Sequence, residues 1–178
     1  FTLAGWHDLR SGDLAPGVPV DANDTVLDVG CGGAGHSQFC LLRGASVVFT
    51  DIDPQVIERA SAVLSTIGPG NARGIVSDSY PIPVEDESFS KIIAAEVLEH
   101  VDDAEEFLRE LYRAGKPGAQ YLITVPHAVS EQMQSGIAPS SYFQKPNHVR
   151  ILNKEIFESL VRGAGLEIER YEYNGAYW

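Results

Sequence analysis

Cysteine, methionine and basic side chains are scarce in this 178-residue chain, which has two Cys, one Met, and 13 Lys and Arg against 25 Asp and Glu. Cys31 and Cys40 have neither the number nor the spacing of a disulfide framework or a structural zinc site. They read as small buried apolar residues, which fits a reducing, cytoplasmic compartment. The formal charge of -12 argues against nucleic acid and anionic membranes as partners, since both require Lys and Arg to neutralise phosphate. No apolar run approaches the ~20 residues that span a bilayer, and no signal peptide is visible. Internal repeats and low-complexity tracts are also missing. The first residue is Phe1 rather than Met, so the chain reads as a trimmed fragment. With 44% apolar residues it holds material for one sizeable core and one domain.

What is present alternates between two periods. Thr25 to Val29 is a short apolar strand, and Ser37 to Arg43 a helix stopped by Gly44. Ala45 to Thr50 is a second strand, running into Asp51. Asp53-Pro54 is an N-cap followed by proline at the first helical position, after which Val56, Ile57, Ala60, Val63 and Leu64 recur on one face. Gly74 to Ser77, Lys91 to Ala95 and Tyr121 to Val125 are further strands, with Ala104, Phe107, Leu108 and Leu111 marking a helix between the last two. Asn153 caps a final helix, and Leu166 to Tyr173 is expected as a sixth strand. This order predicts an α/β fold with a doubly wound, mostly parallel sheet and helices on both faces.

Residues 1–24 form an N-terminal cover segment, expected to be exposed and unpaired unless Trp6 and His7 line a pocket. Residues 25–178 form the single domain. Within it, residues 127–150 show little periodicity, and a loop of that size inside a compact domain is usually functional. The stretch holds His127, Tyr142, Phe143 and His148, so it reads as a lid over an acceptor pocket or as a mobile surface loop.

Four acids stand where successive strands end: Asp28, Asp51, Asp78 and Glu96. In parallel α/β sheets the ligand lies across the carboxyl ends of the strands, and acids gathered there repel one another unless something cationic binds among them. Gly30, Gly32 and Gly35 in the first loop, with Asp51 about twenty residues on, also match the dinucleotide fingerprint. Asp28 separates the readings, because a carboxylate beside the glycine loop repels a pyrophosphate and attracts an ammonium or sulfonium. Asp51 at a strand end is suited to accept both hydroxyls of a ribose.

These residues carry a resemblance. Val26-Leu27-Asp28-Val29-Gly30-Cys31-Gly32, Asp51-Ile52-Asp53-Pro54, Asp78, Glu96-Val97-Leu98-Glu99-His100-Val101 and Leu122-Ile123-Thr124-Val125-Pro126 resemble the ordered motifs of class I S-adenosylmethionine-dependent methyltransferases, with a Rossmann-like fold. The resemblance implies that Gly30 and Gly32 pass close to the methionine part of the donor and that Asp51 binds the ribose. It further implies that Ile52 packs on adenine, Asp78 and Ser79 address its edge, and Glu96 lies along the methionine portion. Glu96-Val97-Leu98-Glu99-His100 and Asn147-His148-Val149-Arg150 are most similar to ubiquinone-biosynthesis-type small-molecule O-methyltransferases. Compared with that family, the chain lacks the last antiparallel strand, and the uncovered edge is expected to mean either a longer native protein or a homodimer that uses it.

A hydroxyl acceptor requires a base, and histidine suits neutral pH. His148 and His127, flanking the lid, are the candidates, with His100 third. This reading assigns no metal. A second reading does: Glu96, Glu99 and His100 at i, i+3 and i+4, completed by His148, form a site for a hard cation such as Mg or Mn. A third reading is a module that binds the donor without turning it over.

Overall fold

A computed structural model describes residues 6–68, 70–78, 80–145 and 147–173. Ser79, given above a place at the adenine edge, lies outside the described residues. The chain opens with a hairpin of β1 (Asp13–Ala15) and β2 (Val18–Pro19). Five strands then build one sheet: β3 (Thr25–Val29), β4 (Ser46–Asp51), β5 (Ala72–Val76), β6 (Phe89–Ala95) and β7 (Gly115–Thr124). Their order is β5-β4-β3-β6-β7, and all neighbours are parallel. The reversal of direction falls between β3 and β6, which places the expected ligand crevice there.

Helices α1 (Gly35–Leu42) and α2 (Pro54–Leu64) cover one face, and α3 (Ala104–Ala114) and α5 (Lys154–Gly163) the other. Both faces of the sheet are therefore buried, and its central strands carry apolar side chains toward both, with Asp28 and Lys91 as buried polar exceptions. Val26 and Ile93 pack with Phe39, Leu41 and Ile57 on the first face. On the second, Leu27, Ile92 and Ala94 pack with Phe107, Leu111 and Phe157. Local signals set the helix starts: Asp53 accepts from Gln55 N–H, Asp103 from Glu106 N–H and Asn153 from Ile156 N–H.

Three expectations need correction. The N-terminal segment is not exposed and unpaired, because Leu14 and Val20 are buried in the first-face core and the hairpin docks there. Leu166 to Tyr173 forms no strand. Its alternation is real, with Leu166 and Ile168 packing inward, but alternation makes a face and not a ladder. The segment and the edge strand β7 line one cleft of about 860 Å³, and among the described residues no strand pairing joins the two. The stretch 127–150 is not a structureless loop either, since it holds α4 (Ala128–Gln134) and a 3-10 turn at Ser140–Phe143. Among the described residues, no helix is long and apolar enough to cross a membrane.

Candidate active site

Both halves of the site stand at the carboxyl ends of the strands. The first half follows β3. Gly30 (φ 68°) and Gly32 (φ 48°) adopt left-handed backbone, and Cys31 N–H donates to Thr50 O at 2.8 Å, tying the loop to β4. A Cβ on Gly30 would stand 2.5 Å from Val97 Cγ2, whereas one on Gly32 would meet nothing within 4 Å. Gly30 is thus required by packing. Gly32 leaves its open side to a ligand.

Asp51 ends β4 beside this loop. Its Oδ2 accepts from Gly32 N–H at 3.1 Å and its Oδ1 from Asp53 N–H at 3.0 Å. Each oxygen keeps a further lone pair, so the carboxylate is aimed by backbone and still able to accept two hydroxyls. Ile52, the next residue, is 71% exposed, an apolar surface offered beside the acid. Asp78 follows β5 and is exposed.

Asp28 behaves differently from the other acids of the rim. It is 1% exposed, and its Oδ2 accepts from Ser37 Oγ at 2.6 Å. Burial pushes its carboxyl up to about 6, against the Ser37 hydrogen bonds, with the charge of Asp51 adding to the rise. Its contact in the protein is to α1, the helix that follows the glycine loop. Cys31 and Cys40 are free and buried, and burial pushes the Cys31 thiol up to about 12, so neither is poised as a nucleophile.

The second half follows β6. Glu96 has left-handed backbone (φ 57°), its N–H donates to Thr124 O at 3.1 Å, and its Oε1 accepts from Thr124 Oγ1 at 2.8 Å. The chain then turns, with His100 N–H donating to Val97 O at 2.9 Å, and brings Glu99 and His100 to one place. Glu99 is 1% exposed and neither of its side-chain oxygens has a hydrogen-bond partner. Burial, reinforced by the charges of Glu96 and Glu131, pushes its carboxyl up to about 8.

The stretch 127–150 closes over this half. Val149 N–H donates to Glu99 O at 2.8 Å, and Arg150 donates to Leu98 O and Asp102 O, each at 2.7 Å. His148 thereby reaches the Glu99 turn, its ring centroid 4.8 Å from that of His100. Ligand atoms of Glu99, His100 and His148 lie within 4.8 Å of one another. His148 Nδ1 is 2.6 Å from Glu131 Oε2, and Tyr142 OH donates to Glu131 Oε1 at 3.1 Å. His127 lies elsewhere: it is exposed, precedes α4 without a side-chain capping bond and packs edge-on against Tyr173 at 5.1 Å.

Glu131 was not found from sequence. Its one signal was an acid at i+4 from His127 inside a short helix, which a search for apolar periodicity passes over.

An acid aimed by the glycine loop, an exposed apolar residue beside it and an open-sided glycine suit a ribose, a flat base and a charged tail. They do so at the crevice the sheet topology specifies. Comparison with known proteins agrees with this geometry. The family described as "Methyltransferase domain" matches residues 27–123, more than half of the chain. The chain belongs to this family and is a class I methyltransferase domain, whose methyl donor is S-adenosylmethionine.

It is 33% identical over 157 residues to ubiquinone biosynthesis O-methyltransferase of Pseudomonas putida (strain W619), covering 83% of this chain and 66% of that protein. It is 27% identical over 131 residues to norajmaline N-methyltransferase of Rauvolfia serpentina, covering 72% of this chain and 43% of that one. A crystal structure of a SAM-dependent methyltransferase from Aquifex aeolicus superposes with a TM-score of 0.67 at 20% identity, over 85% of this chain and 76% of that one, a likeness of fold. The chain spans less than two thirds of the length of these two curated relatives.

Proposed function

We propose that this domain transfers a methyl group from S-adenosylmethionine to a hydroxyl oxygen of a small molecule, with His148 as general base. The observation that carries the reading is the position of His148. Its ring stands beside Glu99 and His100 at the end of β6, one strand away from the glycine loop and Asp51 that suit the donor. S-adenosylmethionine, when bound, supplies a methyl carbon open to attack and a thioether leaving group. In the donor half, Asp51 would hold the ribose and Ile52 the adenine, with Asp78 and Ser79 at the adenine edge. Gly30 and Gly32 would admit the methionine part, and Glu96 would run along it.

In the acceptor half, His148 takes the hydroxyl proton as the oxygen attacks in line. One O–C bond forms, one C–S bond breaks, and the proton remains on the imidazole until it passes to water. Alignment of the two substrates carries most of the acceleration, and held geometry of this kind is worth about 7–11 kcal/mol at best. General-base assistance adds about 10²–10⁴-fold. The similarity to an O-methyltransferase over 83% of the chain supports oxygen as the acceptor atom, and the N-methyltransferase relative makes nitrogen the reading to test against.

The deciding experiment is incubation with labelled donor and a metabolite extract, followed by mass identification of the product. His148→Ala should lower turnover by about a hundredfold or more while leaving donor affinity unchanged. His127, the other candidate base, should tolerate the same change. An N-methylated product would replace the oxygen reading, and full activity in His148→Ala would remove the base.

One further observation favours a second reading. The three clustered ligand atoms of Glu99, His100 and His148, with neither Glu99 oxygen in a hydrogen bond, suit a divalent cation, and Glu96 lies nearby. A divalent cation, when bound, would supply Lewis acidity at an acceptor oxygen. Under this reading activity falls with chelator, returns with Mg or Mn, and is lost equally in Glu99→Ala and His100→Ala. Indifference to chelator excludes it.

A further inference from the structure

Glu131 is the sole buried residue of α4, a surface helix of seven residues, and it is 4% exposed. Leaving a carboxylate there without partners would cost several kcal/mol. Both oxygens are occupied, one by the Tyr142 hydroxyl and the other by His148 Nδ1. The His148 ring is held from other directions as well. The Tyr142 ring stands 4.7 Å away and tilted, the His100 ring 4.8 Å away and edge-on, and His148 N–H donates to Tyr142 O at 3.1 Å.

An ionised carboxylate only accepts hydrogen bonds, so the nitrogen that faces it must carry the proton. A neutral imidazole has one N–H and one bare nitrogen, and which is which is set by the partner of the other nitrogen. In water the imidazole of histidine prefers its proton on Nε2. A carboxylate 2.6 Å from Nδ1 favours the opposite tautomer.

We propose that Glu131 is the positioning residue of the acceptor site, holding His148 as the Nδ1–H tautomer so that Nε2 is the nitrogen with a lone pair to offer. The catalytic consequence rests on the role given to His148 above, while the proton position does not. The same tautomer serves a base, which must accept a proton, and a metal ligand, which must donate a lone pair. Tyr142 belongs to the device, because its hydroxyl satisfies the second oxygen and keeps Glu131 pointed at the ring.

The test is heteronuclear NMR on the full chain labelled at histidine, with His148 identified by the signals lost in His148→Asn. At a pH where the ring is neutral, the proton should couple to Nδ1, and Nε2 should give the shift of a bare nitrogen. Glu131→Ala should move most of the proton to Nε2. Glu131→Gln, which keeps an acceptor oxygen in place, should leave it on Nδ1. With the acceptor found by the product screen, Glu131→Ala should lower kcat by about 10–100-fold with donor Kd unchanged. Glu131→Gln should lie between.

A wild-type His148 with its proton on Nε2 overturns the proposal, with no variant needed. So does a tautomer unmoved in Glu131→Ala. Full activity in His148→Asn would instead remove the role of His148 and leave the NMR result to decide on Glu131.

Discussion

The two ends of the same five-stranded sheet are built to opposite rules. At the amino end, polar groups are used up by one another. Lys91 Nζ donates to Gln120 Oε1 at 2.9 Å and lies 3.6 Å from Asp24, while Ser90 Oγ donates to Asp24 Oδ1 at 2.8 Å. Thr25 N–H donates to Ser90 Oγ at 3.0 Å, and Thr25 Oγ1 to Ser88 O at 3.0 Å. This ring joins β3, β6 and β7 and leaves nothing over for a ligand. At the carboxyl end, neither Glu99 oxygen has a hydrogen-bond partner, Oε1 lying 3.8 Å from His100 Nε2, Glu96 and Ala34 hold left-handed backbone, and burial pushes two acids up to about 6 and about 8. Strain and unmet hydrogen bonding persist in a fold only where the surroundings over-determine them, and such sites cluster where ligands bind. The contrast separates polar residues that satisfy one another from those left open.

Substitutions on the two sides should therefore fail differently. The largest effect is expected at the amino end. Lys91→Met leaves the part-buried Asp24 without its cation, and breaking a fully buried pair costs about 3–5 kcal/mol, here at or below the lower figure because Asp24 is partly solvated and Ser90 and Asp21 N–H still serve the carboxylate. Urea unfolding should register that loss, while calorimetric affinity for the donor stays within twofold or so of wild type. An unaltered midpoint would erase the structural half of the contrast.

Asp51→Ala should do the reverse. Two ribose hydroxyls lose their acceptor at a cost of about 1–3 kcal/mol, or roughly 5–150-fold in donor affinity, with a small change in unfolding. An unchanged dissociation constant would take Asp51 out of the site.

The two glycines sharpen the contrast within the carboxyl end. Gly30→Ala drives a Cβ into Val97 and should lower stability by about 1–3 kcal/mol. Gly32→Ala meets open space and should lower stability by about 1 kcal/mol through backbone strain alone, yet weaken the donor at least as much. Equal losses of stability in the two variants would contradict the packing role given to Gly30.

The smallest effect, on stability, concerns Glu99. The folded protein keeps a proton on this acid that the unfolded chain has already released, so stability falls as pH rises from the ordinary carboxyl range to about 8. Glu99→Gln cannot ionise. It should be more stable than wild type by on the order of 1 kcal/mol at neutral pH, with the gap widening as the pH approaches 8 and closing in acid. Parallel thermal melts across that range check the sign, and a gap that narrows toward alkaline pH would show that Glu99 is ionised in the fold.

How much of this was legible in the sequence follows from how local each cause is. The strand Thr25–Val29 and the caps Asp53 and Asn153 were readable because alternation, apolar runs and N-cap chemistry act within a few residues. The acids Asp51, Asp78 and Glu96 were readable because strand ends are readable. Leu166 to Tyr173 misled because its alternating pattern records which side faces the core and says nothing of a neighbour to bond with. The hairpin at Asp13–Ala15 escaped because its strands are two and three residues long, too short for any period. Glu131 escaped because its meaning lies in His148, seventeen residues away, and only the folded chain brings the two to 2.6 Å. Asp28 was singled out for its charge, but the sequence could not show that burial and the Ser37 hydroxyl take that carboxylate up.

The central claim is that the carboxyl end of this sheet was left acidic and unsatisfied for a cationic adenosyl donor, and isothermal calorimetry on the unmodified chain tests it most directly. The account predicts heat and saturation with S-adenosylmethionine and S-adenosylhomocysteine, and no binding of NAD, whose pyrophosphate would lie beside the Asp51 carboxylate. Binding of NAD with no response to either adenosyl ligand would contradict it.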